Sequence, residues 1–279
     1  MKRFLVLLIS AFLMSGLFTY DLQADVGPKP SVTVYVDEEI KGPYFVTLLS
    51  DREPYGPWAK ISEKEASKDD PLKDQAYAFF SRYIDADGYF FLGNMSQEMT
   101  GAGSFSWNYY PPENFKIAIY DSGSETILVS DVYERTAFNS YFHVRIENGS
   151  LSVKEESHFG IDLLKALGRA LATVIVELAV AYLFGYRKKK HIITILIVNL
   201  ITQILLGVVM MLADHYGGLL AWMIFFPIAE IAVIVLEMVL YQILIRNEKR
   251  GKLILYAILA NLLTAALTFA FTFYDWAGL

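Results

Sequence analysis

The stretch at residues 192–212, IITILIVNLITQILLGVVMML, decides what kind of protein this chain can be. It holds no charged side chain, and about 20 such residues cross about 30 Å of hydrocarbon at about 1.5 Å per residue. Three further apolar stretches lie near it in the C-terminal half. Together they predict a bundle of four transmembrane helices at about residues 166–186, 192–212, 219–245 and 253–273.

Lys and Arg are concentrated in the two loops that follow the first and third apolar stretches, whereas residues 214–218 contain neither. Short loops rich in Lys and Arg stay in the cytoplasm. We therefore predict a multi-pass protein of the cell membrane with both basic loops inside, and with its N-terminal domain and C-terminus outside. The basic residues of the loops are Arg187, Lys188, Lys189, Lys190, Arg246, Lys249, Arg250 and Lys252.

The N-terminus has the layout of a secretory signal. Lys2 and Arg3 precede the apolar residues 4–18, and a polar segment follows that ends at Ala24. We predict a signal peptide at residues 1–24, with an uncleaved membrane anchor as the alternative. In either case residues 25–158 are exported, which agrees with the orientation predicted from the basic loops.

The composition of the exported region restricts its partners. Residues 25–161 contain 22 acidic and 12 basic side chains, a net charge of −10, so nucleic acid is not an expected partner. The chain contains no cysteine, which excludes disulfides, a thiolate nucleophile and Cys metal ligands. We expect no cofactor.

Alternating apolar residues predict about eight short strands in the exported region, as where Val32, Val34 and Val36 alternate with polar neighbours. One helix with an apolar stripe follows Pro71. We therefore predict an all-β, sandwich-like domain with one helix at residues 25–158, followed by the four-helix transmembrane domain at 159–279. The predicted strands cover residues 31–36, 44–50, 89–92, 104–110, 115–119, 126–130, 142–146 and 151–153.

Four segments carry a resemblance to a known family: GPKPSV at 27–32, VTLLS at 46–50, WNYYPP at 107–112 and NLITQ at 199–203. Over nearly its whole length the chain resembles uncharacterised four-helix membrane proteins of Gram-positive, clostridia-type bacteria that have an exported N-terminal domain. The resemblance implies the same architecture. It supplies no catalytic residue.

The segment Asp85-Ala86-Asp87-Gly88 has the alternating Asp residues and the Gly of a calcium loop. Tyr83 stands where the first Asp ligand belongs and Asn94 where the bidentate Glu belongs, so we interpret the segment as a turn between a helix and a strand. We also expect no metal site at histidine, because the spacing does not suit metal ligands. The four histidines are His143, His158, His191 and His215.

Aromatic residues of the exported domain have two interpretations. Phe105, Trp107 and Tyr109 alternate along one predicted strand and could stack on a sugar or a peptide, but we favour a place in the core. Pro-rich segments display their aromatic side chains, so we predict a ligand surface there. Its residues are Tyr55, Trp58 and Tyr110.

Isolated polar residues interrupt each predicted transmembrane helix. Spacings of four and seven place those of one helix on one face, and four of them lie about eight or nine residues from the basic loops, in one layer. A carboxylate facing lipid costs at least about 2.5–3.5 kcal/mol, so we expect these groups inside the bundle, paired or protonated. The structural alternative is hydrogen bonding between helices, worth about 0.6 kcal/mol per contact. The predicted cluster is Glu177, Asn199, Gln203, Glu230, Glu237 and Asn261.

Within this cluster we predict that Glu177 and Glu237 face each other and form hydrogen bonds with Asn199 and Asn261. The sequence lacks the common motifs of serine hydrolases, phosphate-binding loops and zinc proteases. We therefore expect a non-enzymatic membrane protein with an extracellular recognition or sensing domain. Its partners would be the lipid bilayer and a cell-envelope ligand or another membrane protein.

The alternative is a small transporter or proton-coupled module that uses the buried Glu residues. An intramembrane hydrolase needs a Glu-Glu pair or a His base at membrane depth, and the sequence has neither.

Overall fold

The computed structural model describes residues 28–37, 40, 42–55, 58, 70–147 and 149–276, with the backbone alone at 273–276. These residues form two compact units, Pro28–Ser157 and a helical unit from His158 onward. The predicted signal peptide lies outside the described residues.

The first unit contains two four-stranded β-sheets, with strand orders β4-β1-β7-β8 and β3-β2-β5-β6. Strand β1 pairs in parallel with β7, and the other pairings between these strands are antiparallel. The strands are β1 Ser31–Val36, β2 Tyr44–Ser50, β3 Phe90–Met95, β4 Gly103–Trp107, β5 Asn114–Asp121, β6 Thr126–Glu134, β7 Asn139–Glu147 and β8 Ser150–Glu156.

Side chains from both sheets meet in one apolar cluster. Phe115 of one sheet and Phe142 of the other have ring centroids 5.2 Å apart, and Val34, Trp107 and Ile117 are fully buried beside them. Full burial of such a side chain stabilises the fold by about 1.5–3 kcal/mol. The period-two pattern therefore produces a core that belongs to the first unit alone.

Strand β2 is buried at every residue because a helix covers its second face. This helix, α1 Pro71–Arg82, contributes Ala76 and Phe80 to the apolar cluster that contains Phe45 and Leu49 of β2. Its start is determined locally, because the Asp70 side chain accepts a hydrogen bond from the backbone N–H of Lys73 and proline occupies the first helical position. The predicted helix after Pro71 is confirmed.

One predicted strand is shorter than expected. Strand β4 ends at Trp107, not at residue 110, because Tyr110 adopts a left-handed φ of 47° and Pro111 and Pro112 have no N–H to donate to a neighbouring strand. Consequently Tyr109 lies outside the strand and is 36% exposed, whereas Phe105 and Trp107 point into the core. The core interpretation therefore applies to two of the three aromatic residues.

The second unit contains three long helices: α2 Phe159–Leu183, α3 Lys189–Leu244 and α4 Arg250–Trp276. All three are long and apolar enough to cross a membrane. Large apolar side chains cover their outer surface; Leu164 is 71% exposed and Ile231 is 63% exposed. Such a surface fits lipid and is larger than soluble monomers expose.

Helix α3 has 56 residues and would measure about 84 Å if straight, far more than the hydrocarbon thickness of about 30 Å. Gly218 interrupts it with φ 63° and ψ −164°, a conformation that is essentially restricted to glycine. We call residues 189–217 the first arm and residues 219–244 the second arm. The arms lie side by side, because Thr202 of the first donates a hydrogen bond to Glu237 of the second, 35 positions away.

Two predicted boundaries are wrong. The loop expected at residues 214–218 is helical through Gly217, because a single glycine is enough to reverse the chain. The first apolar helix begins at Phe159 and ends at Leu183, so it is displaced toward the N-terminus from the predicted residues 166–186.

Candidate functional site

The helical unit brings the six predicted polar residues into its interior, where each is between 0 and 7% exposed. Their spacing explains this placement, since residues three, four or seven apart share one helix face. Helix α2 contributes Glu177, the first arm Asn199 and Gln203, the second arm Glu230 and Glu237, and helix α4 Asn261. We refer to Glu177, Glu230 and Glu237 as the carboxylate cluster.

Glu237 is the best-bonded member of the cluster. Its Oε1 accepts a hydrogen bond from the Thr202 hydroxyl at 2.7 Å, and its Oε2 accepts one from Asn261 Nδ2 at 2.7 Å. The Tyr241 hydroxyl lies 3.3 Å from Oε2 and also contacts Asn199 Oδ1, and its single proton can serve one of these acceptors. Three helical segments are thus joined through one carboxyl group.

Glu177 has the opposite environment. It is fully buried, and among the described residues neither carboxyl oxygen has a hydrogen-bond partner. The Asn199 side chain interacts with this carboxyl, but its Nδ2 does not reach hydrogen-bond geometry. The Tyr256 hydroxyl donates to the backbone carbonyl of Glu177 at 3.3 Å, not to the side chain. An unpaired polar group in an apolar interior costs several kcal/mol, so Glu177 has bonding capacity that the described protein groups leave unused.

The predicted bonding scheme is therefore only partly realised. Asn261 bonds to Glu237 as predicted, but Asn199 is contacted by Tyr241 and the Glu177 carboxyl has no bond. The reason is the length of the tyrosine side chain, which reaches across from the second arm to the side-chain amide oxygen of Asn199. Tyr241 and Thr202 were not singled out from the sequence, although Tyr241 lies four residues after Glu237 and Thr202 three after Asn199, on the same faces.

The cluster has no cation to balance it among the described residues: no Lys, Arg or His forms an ion pair with any of the three carboxylates. Glu177 lies within electrostatic range of both Glu230 and Glu237. The described part of the chain also contains no group of three or more His, Cys, Asp or Glu side chains arranged to share a metal ion.

The predicted ligand surface on the first unit is broken up by the structure. Trp58 is only 7% exposed, because its ring packs edge-on against Trp107 at 5.0 Å and its Nε1 donates to the Tyr110 carbonyl at 3.1 Å. The prediction that Trp58 is displayed is wrong. Tyr55 is half-buried against the core, and Tyr110 is 40% exposed.

The turn at residues 85–88 is organised around a lysine. The buried Lys116 ammonium bonds to both Asp85 oxygens at 3.1 and 3.0 Å and to Asp87 at 2.5 Å, so it occupies the place between these carboxylates. Burial opposes ionisation of Asp85, but the hydrogen bonds from Lys116 and from the N–H groups of Asp87 and Tyr89 outweigh it and lower the pKa. The segment is a turn that leads from α1 to β3.

No protein-family model, curated protein or solved structure matches this chain. The functional conclusion therefore depends on the geometry of the chain itself.

Proposed function

We propose that the chain is a proton-coupled integral membrane protein with four transmembrane segments and an exported β-sandwich domain. The segments are α2, the two arms of α3, and α4. The basic loops face the cytoplasm, and the first unit and the C-terminus face outward, as the distribution of Lys and Arg indicates. The two sheets that share one apolar cluster support the sandwich.

The main support for this function is the environment of Glu177. Its carboxyl group is fully buried, lacks a hydrogen-bond partner among the described residues, and lies near two further buried carboxylates. A purely structural contact between helices gains about 0.6 kcal/mol, and Asn or Thr provides it without a titratable group. Burying three ionisable side chains at this depth costs more free energy than such helix contacts provide. Buried ionisable groups of this kind are characteristic of proton relays and transport sites.

Protons can be held in this cluster without rearrangement of the backbone. Glu237 is held by Thr202 and Asn261, whereas among the described residues neither oxygen of Glu177 has a hydrogen-bond partner. A proton on Glu177 would remove one negative charge from a site that contains no described counter-ion, and it would give the carboxyl an O–H that can donate a hydrogen bond. Glu230 Oε2 also lacks a hydrogen-bond partner among the residues that the structure describes, and it is a further acceptor.

Proton flux into liposomes tests the proposal. Protein is reconstituted with a pH-sensitive dye trapped inside, and a pH gradient is applied. We expect the Glu237→Gln variant to lose at least tenfold in flux, because glutamine keeps the size of the side chain but cannot titrate. Glu248→Gln is the matched control, since Glu248 lies near His191 and Lys252, outside the carboxylate cluster, and this variant should retain the flux.

Thermal unfolding of both variants in detergent checks that each is folded. Wild-type flux no greater than that of protein-free liposomes would exclude proton transport.

A second function, recognition of a cell-envelope ligand by the first unit, is favoured by a cavity of about 330 Å³. This is the size of a small-molecule site, and aromatic rings predominate in its lining. The lining includes Trp58, Tyr77, Tyr83, Tyr89, Phe90 and Phe91. Recognition without transport would give ligand binding to residues 28–157 together with background proton flux. Failure of this region to bind cell-wall glycans and peptides would count against it.

A further inference from the structure

A second cavity, of about 40 Å³, lies at the end of the helical unit away from the basic loops. It is large enough for about two or three water molecules. All four helical segments line it, so it opens between them and not on one outer face. The lining residues are Ala166, Arg169 and Ala170 of α2, Gln203, Leu206, Gly207 and Met210 of the first arm, Trp222 and Phe226 of the second arm, and Thr268 of α4.

Residues that line this cavity are close along the helices to residues of the carboxylate cluster and their partners. Gln203 lines the cavity and directly follows Thr202, which bonds to Glu237. Phe226 lies one helical turn from Glu230, and Thr268 lies one turn from the buried Thr264. Along the second arm the cavity wall and the cluster are thus about 6 Å apart in helix length, and along α2 Ala170 lies seven residues, about 10 Å, from Glu177.

The outer end of the cavity carries charges that compensate one another. Arg169 lines the cavity, and Asp214 lies within electrostatic range of Arg169, Asp162 and His215. The mouth therefore has no excess of positive charge that would repel a proton or a small cation. Gln203 is a polar side chain of the cavity wall, and it can both donate and accept hydrogen bonds.

The end of the helical unit nearer the basic loops is filled by three tyrosine side chains, which we call the tyrosine layer. The Tyr256 ring contacts Tyr186 at 5.4 Å and Tyr241 at 5.5 Å between centroids, and all three side chains are fully buried. Leu253 and Ile245 complete this packing. The carboxylate cluster thus has a tyrosine layer on one side and a cavity on the other.

We propose that the cavity is the aqueous entrance through which protons reach the carboxylate cluster from the outer side, and that the tyrosine layer closes the cytoplasmic side. This inference depends on the proposed proton-coupled function and makes it more specific by assigning the side of access. A hydronium ion in the cavity transfers its proton to a carboxylate of the cluster. The proton passes through water molecules beside Gln203, and a water molecule remains in the cavity. The titratable and charged groups around this route are Glu177, Glu230, Glu237, Tyr241, Tyr256, Arg169, Asp162, Asp214 and His215.

Silver ions can probe this entrance because the natural chain contains no cysteine. Single cysteines are introduced at Met210 in the cavity, at Val208 on the apolar exterior, and at Ala257 beside the tyrosine layer. Intact cells are treated with Ag⁺, which travels in water and blocks thiols, and the remaining thiols are labelled after denaturation. We expect Met210→Cys to be blocked at least tenfold faster than Val208→Cys and Ala257→Cys.

Gly207→Cys provides a second cavity variant if Met210→Cys does not fold, since a Cβ at Gly207 would meet nothing within 4 Å. His215→Cys, at an exposed position, confirms that the reagent reaches the outer end of the helices. The inference is wrong if Ag⁺ blocks the cysteines at both cavity positions no faster than the cysteine at Val208. Equal blocking rates at Met210 and Ala257 would also contradict it, as would blocking of Met210→Cys in inverted vesicles but not in intact cells.

The experiment separates this inference from the proposed function. Rapid blocking of the cavity cysteines together with background proton flux would keep the aqueous entrance and reject proton coupling. Flux that depends on Glu237, together with unreactive cavity cysteines, would keep proton coupling and reject this route.

Discussion

Both ring nitrogens of His143 contact carboxylates: Nδ1 lies 2.8 Å from Asp37 and Nε2 lies 2.9 Å from Glu156. A neutral imidazole has one N–H, so only the protonated ring can donate to both partners. These hydrogen bonds, first to Asp37 and then to Glu156, raise the pKa of His143 against the opposing effect of burial. Because Glu156 is the last residue of β8, the contact secures the end of the first unit.

We predict that His143 makes stability pH-dependent. Its pKa is higher in the folded state, so its contribution is fully present below the unfolded pKa of about 6.5 and is lost as pH rises through the folded pKa. With the side chain about one-third exposed, solvent screening limits the effect to about 0.5–1 kcal/mol. Urea unfolding of residues 28–157 should show that His143→Gln costs stability at pH 5 and much less at pH 9.

Asp37→Asn, which removes one of the two carboxylates, is the control and should reduce this pH dependence without abolishing it. The same pH profile for His143→Gln and the parent would show that the histidine does not contribute.

At the scale of elements, α3 reverses at Gly218, and the neighbouring Gly217 leaves room for the packing around this reversal. Gly218 has a φ of 63°, and a Cβ added to Gly217 would lie 2.4 Å from the Ala221 Cβ. Gly218 is needed for its backbone conformation, and Gly217 is needed because the next helical turn approaches its Cα closely. These two residues allow the two arms to pack together and bring Thr202 to Glu237.

We predict that Gly218→Ala lowers the free energy of unfolding of the detergent-solubilised protein by about 1–3 kcal/mol, because the required φ and ψ are strained for any residue with a Cβ. Gly168→Ala in α2 is the matched control: a Cβ there meets nothing within 4 Å. Since alanine is the better helix former by about 1 kcal/mol, the control should be neutral or stabilising. Equal melting temperatures for Gly218→Ala and Gly168→Ala would contradict the proposed role of the reversal.

At the scale of the whole molecule, the proposed topology predicts which exposed positions an impermeant thiol reagent can reach. Single cysteines at Ser124 in the first unit and at His215 near the reversal should be labelled in intact cells. Lys189, which begins α3 in a basic loop, should be labelled only after the membrane is permeabilised. Labelling of Lys189→Cys in intact cells, or protection of His215→Cys, would require the opposite orientation.

Local patterns in the sequence were sufficient for much of the fold. Strands β1 and β2 match their predicted bounds because alternation of apolar residues depends only on neighbours along the chain. Helix α1 was predictable for the same reason, from its proline start and apolar stripe. The long apolar helices follow from composition, since runs of this length have few other ways to be buried.

The sequence by itself therefore determined the β-rich first unit, the apolar helices and the set of six polar residues inside them. Only the tertiary structure decided that Trp58 is buried on Trp107, that a single residue reverses α3, and that Glu237 is bonded while Glu177 is left without a described partner. The physical reason is that these outcomes depend on contacts between residues distant in the chain. A periodic pattern shows which face of a helix is polar, but the rotation of neighbouring helices and the reach of each side chain determine which polar groups bond.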